Sequence, residues 1–178
     1  MKAQISMNIQ NNFGFTLVNV SEAMDIPEYS DVTDEGLVEW NQFNYKGLIQ
    51  LYFTKKEDIS LGTELGINRL YYWEEKFIPP LSSPRWDWGT IWTGQVSGLL
   101  KKTIAKQYYV ITGASLHIFL NGTGATLGIP LAIGHEIRLS ETITLPVEFR
   151  VDVIFGNAIP IALGGGVGIN YKLNNQQD

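Results

Sequence analysis

From residue 143 to residue 155 the chain alternates. Ile143, Leu145, Val147, Phe149, Val151, Val153 and Phe155 hold one parity, and Thr144, Glu148, Arg150 and Asp152 hold the other. A period of two belongs to the β-strand, whose successive side chains point to opposite faces. The opening of the chain reads the same way: Ile5, Met7, Ile9, Phe13, Phe15 and Leu17 oppose Ser6, Asn8, Gln10, Asn12, Gly14 and Thr16. Continued along the sequence, the pattern predicts eight strands, over 5–20, 37–53, 59–72, 90–100, 108–120, 125–137, 143–155 and 159–173. The expected connections alternate in kind. Thr54 to Asp58, Lys101 to Lys106 and Arg138 to Thr142 are short and charged, whereas residues 21–36 and the Pro-rich stretch 73–89 are long; Asn121-Gly122 is a hairpin signal between strands five and six.

Alternation alone leaves open which face meets water. A soluble eight-stranded carrier of the lipocalin kind turns its apolar parity inward, and a membrane barrel turns it outward. The other parity decides. It is built from Gly, Ala, Ser, Thr and Asn, with Gly128 and Gly134 in strand six and Gly164, Gly166 and Gly168 in strand eight. A surface in water uses Lys, Glu and Arg, whereas small side chains suit the narrow interior of an eight-stranded barrel. Aromatic residues collect at the strand ends: Trp40, Tyr71, Tyr72, Trp73, Trp86, Trp88 and Trp92 toward the long connections, and Tyr52, Phe53, Tyr108, Tyr109 and Tyr171 toward the short ones. Two such girdles border the apolar band of a membrane barrel. Lys55, Lys56, Lys101, Lys102 and Lys106 fall in turns, away from a lipid face where a charge costs about 2–4 kcal/mol at mid-depth.

Composition narrows the picture further. The 178 residues have no break in composition, so one domain over 1–178 is expected. Charged residues make up 17% and apolar residues 44%, which suits neither disorder nor a helical membrane bundle. The apolar stretch from Leu127 to Gly134 is too short for a spanning helix of about 20 residues, so any crossing is made by strands. With no cysteine there is neither a disulfide framework nor a thiolate metal site, and the net charge of −5 argues against nucleic acid as a partner. Met1 to Gln4 lack the apolar core of an export signal, and Lys2-Ala3-Gln4 reads as the remnant of a processed cleavage site.

With these features the chain resembles the small eight-stranded outer-membrane β-barrel proteins, a porin-like class. Gly168, Tyr171 and Leu173 also match the class's C-terminal insertion pattern, although the chain runs on from Asn174 to Asp178 rather than ending on an aromatic residue. The resemblance implies an all-β, eight-stranded, antiparallel up-and-down transmembrane barrel in the bacterial outer membrane. It implies periplasmic termini, extracellular loops at 21–36 and 73–89, surroundings of outer-membrane lipid and lipopolysaccharide, contacts with other envelope proteins, and no cofactor or metal.

On the inward parity stand Lys46, Glu64, Gln95, His117, Glu136, Glu148, Arg150, Asp152 and Lys172. Acids and bases together can form a proton relay or a selective pore, but an ion-paired plug is the plainer expectation for so narrow an interior. Glu148 and Asp152 flank Arg150 on one face and are its expected partners. Some barrels of the resembled class are lipid-modifying hydrolases with serine, histidine and an acid on the outer wall. Here Ser115-Leu116-His117 and His135-Glu136 do not reproduce a His-x-Ser arrangement, so no catalytic residue is expected. The first long connection carries Asp25, Asp31, Asp34 and Glu35, a solvated acidic run or a site for a cation or a basic partner. The second carries Phe77, Trp86 and Trp88, apolar enough to suggest a partner surface. The reading that follows is a non-enzymatic structural or accessory barrel. A narrow channel for small or hydrophobic ligands, an outer-wall hydrolase and a soluble carrier are its alternatives.

Overall fold

A computed structural model describes residues 4–19, 43–56, 58–76, 85–120, 124–155 and 159–173. Eight strands, β1 (Gln4–Asn19), β2 (Phe43–Lys56), β3 (Ile59–Lys76), β4 (Arg85–Ala105), β5 (Tyr108–Phe119), β6 (Ala125–Arg138), β7 (Ile143–Ile154) and β8 (Ile159–Lys172), follow one another. Each pairs antiparallel with its sequence neighbours, and the sheet closes between β1 and β8. Closure matters because a bilayer core offers no water to an open edge, so every strand needs two partners. The β1–β8 seam supplies them with fourteen register pairs, from Ser6↔Lys172 to Asn19↔Ile159.

The two faces are inverted relative to a soluble protein. Side chains buried in the lumen are mainly polar, including Gln10, Gln50, Glu64, Asn68, Gln95, His117 and Arg150. The outer wall carries Ile9, Leu65, Ile67, Val96, Leu131, Ile133, Phe149, Val167 and Ile169, with Leu65 59% and Ile169 58% exposed. Outward aromatics border this band. Phe13, Tyr45, Phe43 and Trp92 lie toward the long-connection end, where Phe13 meets Tyr45 at 5.4 Å between ring centroids, and Phe53, Tyr108 and Tyr171 lie toward the short turns. A wall of exposed leucine, isoleucine and phenylalanine around a polar interior is stable only with hydrocarbon outside, which removes the lipocalin-like alternative.

The strands differ from the sequence expectations in four places. The stretch 73–89 is not a loop throughout: Trp73↔Trp88, Glu74↔Asp87, Glu75↔Trp86 and Lys76↔Arg85 continue the β3–β4 ladder. Its prolines at 79, 80 and 84 lie outside the described residues. Second, β4 continues to Ala105, leaving Lys106-Gln107 as the turn before β5. Third, β2 continues to Lys56, past the expected turn at Thr54. Fourth, Tyr52 and Tyr109 are not girdle residues; both are buried in the lumen. The acidic residues Asp25, Asp31, Asp34 and Glu35, together with Phe77 and the Asn121-Gly122 signal, lie outside the described residues. Trp86 and Trp88 lie in the ordered ladder of β4.

Candidate functional site: the lumenal polar network

Strand alternation delivers the inward residues, and the barrel's stagger decides which of them meet. The centre is Glu64 on β3, 0% exposed, facing Arg150 on β7. Arg150 donates through both terminal nitrogens to the two Glu64 oxygens, at 2.7 Å each, in the fork-to-fork geometry that makes arginine–carboxylate pairs strong. The carboxylate also accepts from Gln50 at 2.7 Å, Gln95 at 2.8 Å and Ser97 at 3.0 Å, five hydrogen bonds in all. Arg150 Nε reaches Asp152 at 3.0 Å, and Asp152 in turn accepts from Lys46 Nζ at 2.6 Å. Two cations and two carboxylates thus alternate as Lys46, Asp152, Arg150, Glu64. Such a buried quartet offsets its desolvation only because each charge has a partner and most remaining positions are hydrogen-bonded.

Amides and hydroxyls extend the network. Asn8 donates to Gln50 at 2.7 Å, and Asn68 donates to Gln95 at 2.8 Å. Glu148 stands apart from Arg150 and accepts from Gln10 at 2.8 Å and from the Tyr109 hydroxyl at 2.7 Å. The expectation that Glu148 flanks Arg150 is therefore corrected. The second carboxylate on Arg150 comes from across the lumen, because Arg150 is long enough to reach β3. Glu136 lies lower, half-buried, and accepts from Lys101, whose ammonium sits 3.9 Å from the Tyr109 ring centroid. Lys101 was expected in a turn; it faces inward on the extended β4. Lys172 has the inward parity at the short-turn end, half-buried.

His117 is fully buried, with its Nε2 3.0 Å from Ser115 Oγ. A serine beside a histidine is the first half of a nucleophilic pair. Both side chains are enclosed, though, and the neighbour at His117 Nδ1 is the Asn68 amide at 3.5 Å rather than an acid. His135 sits on the outer wall at the short-turn end, its ring 4.6 Å from that of Tyr108. The two histidines occupy opposite sides of the wall and do not assemble into one site. Among the described residues no cluster of His, Asp and Glu has the arrangement of a metal site.

Apolar clusters bracket the polar layer. Tyr52, Leu99, Tyr109, Ile111 and Ala132 pack on the short-turn side, and Leu70, Ile154 and Ala162 on the other. At several inner-face glycines the space a side chain would take is filled by neighbours. A Cβ at Gly134 would stand 2.3 Å from Tyr109 Cζ, one at Gly62 2.6 Å from Tyr52, and one at Gly128 2.9 Å from His117 Nε2. A cavity of about 20 Å³ beside Lys46, Arg150 and Asp152 has room for about one water. Sequence reasoning missed Tyr52 and Tyr109 as lumenal residues, although the parity of Tyr109 with Ile111, Ser115 and His117 carries that signal.

No family model and no curated protein sequence matches the chain. Solved structures do. The crystal structure of Ail, the attachment invasion locus protein of Yersinia pestis, in complex with the heparin analogue sucrose octasulfate, aligns over 96% of this chain and all of that one, with a TM-score of 0.53 at 10% identity. Neisserial surface protein A, NspA, aligns over 97% of this chain and all of that one, with a TM-score of 0.52 at 12% identity. This chain has the fold of the small eight-stranded outer-membrane β-barrels. At such identities the likeness carries architecture and nothing of role. The lumenal network therefore has to be judged on its own chemistry.

Proposed function

We propose that this protein is a non-enzymatic integral barrel of the bacterial outer membrane, with both termini in the periplasm. It acts as a structural component or an accessory subunit of an envelope assembly through its long connections and its lipid-facing wall. The observation that carries the reading is the bonded lumen: the Lys46–Asp152–Arg150–Glu64 quartet ties β2, β7 and β3 together across the interior. A pore needs mobile water along its axis, whereas this arrangement commits its polar groups to one another. The Ser115–His117 pair is likewise buried in the lumen, on the opposite side of the wall from the lipid face.

The partners follow from charge. Ail's recorded ligand is a heparin analogue, a polyanion. Here the stretch from Glu22 to Glu39 holds seven acids and no lysine or arginine, so a polyanion is repelled. Lipopolysaccharide bridged by divalent cations, or the basic face of another envelope protein, fits that segment instead. Reconstitution into planar bilayers tests the central claim: the folded protein is expected to give no stable conductance step. A reproducible step carried by the wild-type barrel would move the reading to the narrow channel.

A further inference from the structure

One polar side chain interrupts the lipid-facing wall. Asn11 has the outward parity of β1 and is exposed, opposite Gly47 on β2 and Val167 on β8. Four residues separate it from the Phe15↔Phe43 pair at one aromatic border and six from Ile5↔Phe53 at the other, so it stands inside the apolar band. Among the described residues, the other outward positions of that band carry apolar side chains, glycine or threonine. The Tyr45 hydroxyl turns toward Asn11 and donates to its Oδ1 at 2.9 Å. The two N–H groups of the amide find no acceptor among the described residues, and hydrocarbon supplies none.

The shape beside Asn11 is self-complementary. Phe13 is 63% exposed, and its ring leans toward Tyr45, with centroids 5.4 Å apart. On its other side the register places Gly165 of β8, where a Cβ would meet nothing nearer than the Glu148 carbonyl oxygen at 3.9 Å. A protruding ring and an open socket therefore stand on adjacent strands, one strand spacing apart.

We propose that the β8–β1–β2 face binds a second copy of this barrel, side by side in the membrane, about a two-fold axis passing beside Asn11. Rotation about the membrane normal returns every residue to its own depth, so such a patch has to complement itself. Phe13 of each copy enters the Gly165 socket of the other. Each Asn11 donates through Nδ2 to its counterpart's Oδ1, which keeps a lone pair free after accepting from Tyr45. Close approach at small residues and amide hydrogen bonds drive association in lipid, where apolar burial alone gives no preference over acyl chains. An acyl chain has no acceptor for the amide, whereas a second copy brings the acceptor, the ring and the socket at one depth. The dimer follows from the lipid-facing wall and is independent of the role proposed above.

The test uses the full chain with Glu141→Cys as its sole cysteine, labelled with donor or acceptor dye and folded into dimyristoyl phosphatidylcholine vesicles. Energy transfer is followed as lipid dilutes the protein. The otherwise wild-type barrel is expected to show two-copy transfer that declines on dilution. Gly165→Leu fills the socket without a clash in its own barrel and is expected to abolish the transfer. Asn11→Leu should weaken association about tenfold. Gly98→Leu, at an outward glycine of β4 with open space around it, should leave it unchanged. A monomeric wild type overturns the proposal and leaves lipid as the occupant. Transfer unaltered by G165L or by N11L also overturns it, as does an equal loss in G98L. If a variant fails to fold, oxidative crosslinking decides: Ile9→Cys, beside Asn11, is expected to trap a disulfide-linked dimer, and Ile133→Cys on β6 is not. Equal trapping at both positions, or none at Ile9→Cys, refutes the face. Conductance is read separately, so the dimer and the non-conducting role fail independently.

Discussion

Arg150 and Glu64 show how single residues hold this interior. Removing the guanidinium leaves Glu64 buried without its cation and Asp152 with Lys46 alone. Arg150→Met is therefore expected to cost about 3–5 kcal/mol, the usual penalty for orphaning a buried charge. Replacing both partners, Glu64→Leu with Arg150→Met, leaves Lys46 and Asp152 balanced and is expected to recover much of that loss. Denaturant unfolding in detergent micelles, analysed as a double-mutant cycle, checks both statements. Gly134 is a steric counterpart. Its Cβ position lies 2.3 Å from Tyr109, so Gly134→Ala forces the ring to shift and costs about 1–3 kcal/mol. Adding Tyr109→Ala to Gly134→Ala should remove most of the overpacking part, read from the same unfolding curves. Arg150 was legible as a charged inward residue from parity, but its principal partner was not. Residues 86 positions apart are brought together only by closure and stagger of the sheet.

At the scale of elements, protection should follow the ladder. β3 and β4 continue for seven pairs, from Leu70↔Ile91 to Lys76↔Arg85, beyond the last β2–β3 and β4–β5 pairs, a ribbon of about 20 Å with ladder partners on one side only among the described residues. Amides of residues 71–76 and 85–90 are expected to exchange faster than those of Leu61 to Asn68, which have ladders on both sides. Faster exchange is likewise expected at Gly113, which the β5–β6 register sets opposite Pro130 and its missing N–H, than at Ile111, whose partner Ala132 donates in return. Hydrogen exchange in micelles resolves both, and equal protection of Gly113 and Ile111 contradicts the second. Strand existence and parity were legible because seven-residue runs of alternation admit no other periodicity. Strand ends were less so, since Pro and charge in 73–89 and 101–106 resemble turn signals. The pairing of Trp73 with Trp88 and of Lys101 with Glu136 overrides them.

For the whole molecule, exposed apolar walls and a bonded interior predict one behaviour on extraction. In detergent the protein is expected to run as a compact species whose gel mobility changes on boiling, with β-type circular dichroism. In plain buffer it should aggregate or remain unfolded, and a stable monomer there contradicts the lipid-facing wall. The sequence by itself determined the eight strands, the inside-out polarity and the charged character of the lumen, because side-chain alternation is a local property of extended backbone. Only the tertiary structure decided that Glu64 rather than Glu148 holds Arg150, that the space at Gly62, Gly134 and Gly128 is filled by Tyr52, Tyr109 and His117, and that Pro130 interrupts the β5–β6 ladder opposite Gly113. Each of these depends on which residues of neighbouring or opposite strands reach the same depth. Register and barrel stagger set that depth, and neither is written in the period of a single strand.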